Sequence, residues 1–108
     1  NLAIAVQSGV ANSSDQWQQG NGNQALVQQT GGLNEAIQTQ VGNANLALIE
    51  QDGVANYADQ LQIGNGNSAD DYQKGMLNSA VVTQLGLGHM HMGTQVGNAN
   101  SMVINQSN

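Results

Sequence analysis

Polar and apolar residues alternate along this chain in a frame that repeats every 11 residues. Each repeat places an asparagine, an alanine, a variable residue and a glutamine at alternate positions, as in Asn23, Ala25, Val27 and Gln29. Successive side chains of a β-strand point to opposite faces, so these four share one face. The pattern predicts a strand of about seven residues from each Asn to the next Gln, with the Asn-Ala-x-Gln face turned inward.

One glutamine per repeat keeps the 11-residue spacing along the chain without an insertion or deletion. A buried amide needs a hydrogen-bond partner, and an identical residue in a stacked neighbour supplies one. We therefore predict a self-assembly ladder of glutamines: Gln7, Gln18, Gln29, Gln40, Gln51, Gln62, Gln73, Gln84, Gln95 and Gln106. We expect the asparagines of the frame to form further ladders: Asn12, Asn23, Asn34, Asn45, Asn56, Asn67, Asn78 and Asn100.

A Gly-x-x-Asn segment, typical of a tight reversal, follows most of these glutamines. Glycine adopts positive φ at little cost and asparagine tolerates it, so we expect positive φ at both ends of the turn. The turn glycines are Gly9, Gly20, Gly31, Gly42, Gly53, Gly64, Gly75, Gly86 and Gly97. The chain has no proline, as expected where nearly every backbone N–H joins a ladder.

The third inward residue separates two kinds of strand and doubles the period to 22 residues. It is apolar in one set of repeats and glutamine in the set between them: Ala5, Val27 and Ile49 against Gln16, Gln38 and Gln60. We predict an all-β fold, a two-sheet parallel β-solenoid of strand-turn-strand-turn rungs that stacks into a cross-β amyloid filament. One domain spans residues 1–108, with five rungs at approximately 1–22, 23–44, 45–66, 67–88 and 89–108.

Composition narrows the class of protein. The net charge is -6 and the only basic residue is Lys74, so no basic patch for nucleic acid or an anionic membrane is expected. No apolar run is long enough for membrane insertion, and there is no cysteine. The sequence contains no signal peptide, so we expect that a secreted precursor has been trimmed. Plain disorder, the alternative for a Gln/Asn-rich chain, does not explain a register kept over ten repeats.

The run His89-Met90-His91-Met92 is the only grouping that suggests a metal ligand, since imidazole and thioether suit copper. Alternation places the two histidines and the two methionines on opposite faces, which argues against a shared site. We interpret the run as a late rung that has diverged from the repeat, with His89 at the position of the asparagine and His91 at that of the alanine. No metal and no cofactor are therefore expected.

Asp70 and Asp71 are the only adjacent acids, and alternation directs them to opposite faces, so they do not form a catalytic dyad. An inward Asp71 is costly unless it is paired or protonated. Two interpretations remain: a gatekeeper that slows premature assembly, or an irregular rung open to water, which we favour. No serine has a histidine or aspartate partner in register, and we do not expect an enzyme.

The frame Gln-x-Gly-x-x-Asn-x-Ala, as in Gln51, Gly53, Asn56 and Ala58 followed by Gln62, resembles the curlin repeat over essentially all of residues 1–108. The resemblance implies a secreted, extracellular subunit of curli, the amyloid fibres of the biofilm matrix. It also implies a nucleator subunit, an outer-membrane secretion pore and accessory chaperones as partners. Many family repeats begin with Ser where this chain has Asn, which leaves the subunit type and lineage open; the regular, uncharged inner face favours the major subunit.

We expect the chain to be a structural subunit that mediates adhesion and polymerises head to tail with itself, because no helix, proline or charge cluster blocks either terminal rung. Apolar outward residues are either tolerated β-formers or a stripe for lateral bundling of filaments.

The alternative function is a monomeric secreted β-solenoid that binds a ligand, of the adhesin or ice-binding type. Ice binding requires a continuous outward ladder of threonines, and Thr39, Thr83 and Thr94 do not form one. An enzymatic solenoid requires clustered carboxylates, and the acids here are scattered.

Overall fold

The computed structural model describes all 108 residues, which form ten strands and no helix. The strands are β1 (Leu2–Val10), β2 (Ser13–Asn21), β3 (Gln24–Gly32), β4 (Glu35–Asn43), β5 (Leu46–Val54), β6 (Tyr57–Asn65), β7 (Ser68–Met76), β8 (Ser79–Leu87), β9 (Met90–Asn98) and β10 (Ser101–Ser107).

Odd-numbered strands form one parallel sheet in the order β1-β3-β5-β7-β9, and even-numbered strands form the other in the order β2-β4-β6-β8-β10. All paired strand residues are 22 positions apart, as Gln29 and Gln51 are. Each rung is thus one odd and one even strand, and five rungs stack along the axis. The predicted two-sheet parallel β-solenoid with a 22-residue rung is confirmed.

The strands are longer than predicted. Nine of them have nine residues, starting one position after the asparagine and continuing past the glutamine and the glycine. We expected strands to end at the glutamine because glycine is a common turn residue. In a stacked solenoid the glycine backbone still pairs with the glycine of the next rung, as Gly42 does with Gly64, so the ladder continues through it.

The predicted positive φ is confirmed at the turn glycines, with values of 109–134°, but the prediction for the asparagine end of the turn was wrong. No asparagine has positive φ; the residue just before it does, with φ of 55–58° at Ala11, Leu33, Ala44, Ala55, Leu77 and Ala99. Gly22, Gly66 and Gly88 occupy the equivalent places with φ of 67–68°. The asparagine is free of this conformation because its side chain is committed to hydrogen bonds with the rungs on either side.

The repeated glycines are required by close approach between rungs as well as by φ. Gly42 has a φ of 121°, and a Cβ atom there would collide with the carbonyl oxygen of Gly64 in the next rung. The same collision recurs at the other inner members of the two glycine columns. A side chain at any of these positions would therefore force neighbouring rungs apart.

The Asn-Ala-x-Gln face points inward, as predicted. In the second to fourth rungs these residues are buried, and the alanines let the two sheets approach closely. The apolar cluster in the centre is small, consisting of Val27, Ala36, Ile49 and Ala58. Most of the large buried side chains are glutamines, so amide hydrogen bonds carry much of the specificity of this core.

Candidate functional site

The predicted glutamine ladder exists as two continuous columns, one in each sheet. In the odd sheet, Nε2 of each glutamine donates to Oε1 of the glutamine one rung further on, from Gln7 to Gln95, over 2.7–2.9 Å. The even sheet repeats this from Gln18 to Gln106 over 2.7–2.9 Å. Each amide thus donates in one direction along the axis and accepts from the other.

The same glutamines also join the two sheets. Nε2 of Gln40 donates its second hydrogen to the carbonyl oxygen of Gln24 at 2.9 Å, and Nε2 of Gln51 donates to that of Glu35 at 2.9 Å. Both hydrogens of the amide are therefore used, and the side chain is fully buried without an unmet donor. A residue without this pair of donors would lose one hydrogen bond to the next glutamine of the column and one to a backbone carbonyl of the other sheet.

In the asparagine columns the hydrogen bonds between successive asparagines are donated to the preceding rung, opposite to those of the glutamines. They depend mainly on backbone groups. The backbone N–H of Asn45 donates to Oδ1 of Asn23 in the preceding rung at 3.0 Å. Nδ2 of Asn45 donates to the carbonyl oxygen of Gly64 in the following rung at 2.9 Å. Direct side-chain bonds between asparagines also occur, at 3.1–3.2 Å. The predicted asparagine columns are thus present, with more backbone contacts than we expected.

The two ends of the stack are chemically different as a result. At the first rung, the Oε1 atoms of Gln7 and Gln18 have no glutamine beneath them to donate a hydrogen bond. At the fifth rung, Gln95 and Gln106 each use one amide hydrogen on a backbone carbonyl, at 3.0 Å, and keep the other. Acceptors at one end therefore match donors at the other, in the same lateral positions.

Backbone groups are also left unpaired at the two ends of the stack. The first residue of a strand points its side chain outward and its N–H toward the following rung, as Ser68 donates to the carbonyl oxygen of His89 at 2.7 Å. Alternation along a parallel strand extends this to the other outward residues. In β9 and β10 the outward residues direct their N–H groups at an unoccupied edge. Such an edge is a template for another strand.

A third column of amides ends at Asp71. Nε2 of Gln16 donates to Gln38 at 2.9 Å, and Gln38 donates to Gln60 at 3.1 Å. Gln60 has no glutamine above it, since Val82 takes that place, and its Nε2 instead donates to Oδ2 of Asp71 at 2.8 Å. The interpretation of Asp71 as part of a rung open to water was therefore wrong, because its side chain is 0 % exposed.

The histidines and methionines of the late rung separate as the alternation predicts. Met90 and Met92 are exposed on the outer face, while His91 is inward and its side chain only 8 % exposed. Nε2 of His91 lies 3.1 Å from Oδ1 of Asp71. His89 keeps the backbone bond of the asparagine column, to Oδ1 of Asn67 at 3.0 Å, and its ring contacts the carbonyl oxygen of Leu85 at 3.1 Å. The two imidazoles do not converge on a common ligand.

Sequence reasoning missed the connection among Asp71, His91 and Gly93. A Cβ atom on Gly93 would lie 2.8 Å from both Nε2 of His91 and Oδ1 of Asp71. The missing side chain at Gly93 thus makes room for an imidazole where other rungs have an alanine. The available signal was that these departures from the repeat all fall at inward positions of one sheet, in two successive rungs.

The comparisons with known proteins agree with this geometry. The family model described as the curlin associated repeat matches residues 20–53 and again 42–70. This chain is a member of the curlin family. In this curlin chain the matched segments cover β3 to β6 entirely and the start of β7, where the ladders are most regular.

No curated protein and no solved structure matches this curlin chain. Curlin proteins are structural proteins, which agrees with a core built from repeated amides. The structure contains no helix long and apolar enough to cross a membrane.

Proposed function

We propose that this curlin chain is the structural subunit of an extracellular, curli-like amyloid fibre that forms biofilm matrix and mediates adhesion. Its principal partner is a second copy of the same chain, added head to tail. Members of the curlin family are extracellular fibre subunits, and membership supports the same location for this chain. A nucleator subunit, a secretion pore and accessory chaperones are proposed as further partners on the same ground.

The single observation that carries this proposal is the complementarity of the two end rungs. If a second subunit is placed one rung beyond β9 and β10, its Gln7 and Gln18 lie over Gln95 and Gln106. The free donors of one rung then meet the free acceptors of the next. The unpaired N–H and C=O groups along β9 and β10 also meet unpaired C=O and N–H groups along β1 and β2 of the incoming subunit, because each edge of a parallel strand presents both.

The direction of the ladders selects head-to-tail addition over the symmetric alternatives. Two first rungs placed together would bring acceptor oxygens of glutamine against acceptor oxygens, and two fifth rungs would bring donors against donors. A head-to-tail contact is heterologous and does not close, so it produces a filament. Five rungs at about 4.8 Å each predict a rise of about 24 Å per subunit.

A chain-terminating variant tests this proposal. Thr94→Pro with Val103→Pro removes two outward N–H groups of the fifth rung, both at exposed positions that make no bond within the subunit. The variant can still add to a growing filament through its first rung, but it cannot accept the next subunit. We expect it to stop seeded growth of the wild-type protein when present at a small fraction of the total, measured by electron microscopy and a kinetic fibre assay.

Thr94→Ala with Val103→Ala is the matched control, since it changes the same outward side chains and keeps both N–H groups. Equal inhibition by the two double variants would contradict the head-to-tail contact. Wild-type protein that stays monomeric at neutral pH, even with its own seeds, would contradict the fibre itself. That outcome would favour the alternative of a monomeric binding solenoid.

A further inference from the structure

Four departures from the repeat in the upper half of the stack compensate for one another. An acid, Asp71, replaces the apolar residue of the odd sheet, and Val82 replaces the glutamine of the even sheet. In the next rung His91 replaces an alanine and Gly93 replaces the apolar residue. Each change alone would leave a clash, a cavity or an unpaired polar group, whereas together they leave none of their buried polar atoms without a partner.

Asp71 has hydrogen-bond partners on both carboxylate oxygens. Oδ2 accepts from Gln60 of β6 at 2.8 Å, and Oδ1 lies 3.1 Å from Nε2 of His91 of β9. Because β7 and β9 belong to successive rungs, the contact with His91 is one of the side-chain links between the fourth and fifth rungs. The side chains of both members are almost fully removed from water.

The charge of the Asp71–His91 pair is not balanced by any other ionisable group inside the stack. On β5 the register partner of Asp71 is Ile49, β6 presents Gln60, and the inward residue of β8 beside Gln60 is the buried Val82. Asp70, the neighbour in sequence, points outward and adds negative charge. The pair carries one negative charge when the imidazole is neutral and none when it takes up one proton. A net charge in a dry interior is costly, and that cost depends on pH.

We propose that the Asp71–His91 pair is a proton-dependent clamp between the fourth and fifth rungs of the stack. With one additional proton the buried pair is neutral and holds β9 against β7. Without that proton it is a buried anion, and the fifth rung opens more readily. The clamp acts on the rung that offers donors for subunit addition, so an effect on filament growth rests on the proposed function, whereas the opening of the rung does not.

The direction of the pH effect follows from the carboxyl group. Burial raises the pKa of Asp71, while the hydrogen bond from Gln60 and the nearby His91 lower it and Asp70 raises it further; the net direction is upward. The unfolded value for an aspartate is about 3.9. Between that value and the raised folded value, only the folded chain holds the proton. Stability of the fifth rung therefore falls as the pH rises through this interval, and the full cost is present above it.

Amide hydrogen exchange measured from about pH 3 to about pH 9, a range that includes the unfolded pKa of an aspartate, tests the clamp. The readout is the protection of peptides from β9 and β10 divided by that of peptides from β3 to β6 in the same sample. This ratio cancels the intrinsic pH dependence of exchange. We expect the wild-type ratio to fall with rising pH, by about tenfold for each unit by which folding raises the pKa. The measurement applies to a filament or to a folded monomer, so it succeeds or fails separately from the proposed function.

Four variants decide the outcome. Asp71→Asn keeps the shape and removes the charge, so its ratio should be flat with pH. His91→Ala removes a group that lowers the pKa of Asp71, so the fall should move to higher pH. Asp70→Asn removes an outward charge that raises the pKa of Asp71, so the fall should persist but move to lower pH. His89→Asn, which restores the asparagine column, is the control and should keep the wild-type profile. A wild-type profile in Asp71→Asn, or its loss in His89→Asn, would overturn the proposal.

Discussion

The lower three rungs and the upper two solve the same packing problem with different residues. In the second and third rungs the third inward position is apolar in the odd sheet and a glutamine in the even sheet, as with Ile49 and Gln60. In the fourth rung the sheets exchange roles, with Asp71 in the odd sheet and Val82 in the even sheet. The glutamine and glycine columns continue through both regions.

This difference separates two kinds of inward position. The Gln columns bond along the axis, so each residue needs an identical neighbour in the next rung. The third layer is also matched between the sheets, since in the second to fourth rungs one sheet holds a polar residue at this position and the other an apolar one. A change there is tolerated if the other sheet or the next rung changes with it, and this is why the late repeats look drifted without being open to water.

The largest loss of stability should come from a substitution in a glycine column, which both regions share. Gly64→Ala would drive a Cβ atom into the carbonyl oxygen of Gly86 at a φ of 128°, and we expect a loss of about 3–5 kcal/mol in stability. Gly66→Ala is the matched control, because its φ is 68° and no atom lies within 4 Å of the added carbon. The control should lose about 1 kcal/mol. Guanidinium midpoints of the folded protein give both values; equal losses would refute the role of close approach.

An acid placed in the lower rungs tests whether a buried carboxyl group needs the partners that Asp71 has in the upper rungs. Ile49→Asp puts a carboxyl group at the position equivalent to Asp71, but the residue that would correspond to His91 is the small Ala69. We expect a loss of about 3–5 kcal/mol at pH 7, since the buried charge lacks a partner. Ile49→Asn serves as the uncharged control and should lose less. The gap between the two variants should narrow on acidification; a gap independent of pH would contradict this account.

The smallest change in stability is expected from a substitution in the first rung. Ser14 stands where the second to fourth rungs have alanine, and its Oγ is the only buried side-chain nitrogen or oxygen atom without a hydrogen-bond partner. Ser14→Ala should therefore stabilise the protein by about 1 kcal/mol. Ser13→Ala, on the exposed face of the same strand, should change stability by less than about 0.5 kcal/mol. A destabilised Ser14→Ala would show that this hydroxyl finds a partner, for example in a neighbouring subunit.

Much of the fold and of the candidate ladders could be predicted because one strand repeats ten times. The inward face, the parallel stacking and the 22-residue rung all follow from alternation and from the spacing of residues such as Gln29 and Gln51. The turn was less predictable: the preference of asparagine for left-handed φ is local, and it was outweighed by hydrogen bonds to two other rungs. The residue before it, such as Leu33, takes the strained conformation instead.

By itself the sequence determined the periodic part of this protein, because a buried amide column is stable only if the same residue recurs in every rung. The tertiary structure alone decided how the exceptions fit together. Asp71 and Gln60 lie in different sheets, and Asp71 and His91 are 20 residues apart in different rungs. Their contacts depend on side-chain reach and on the space left at Gly93, which no spacing along the chain records. The direction of hydrogen bonding along the axis, which makes the two ends complementary, likewise appears only once the rungs are stacked.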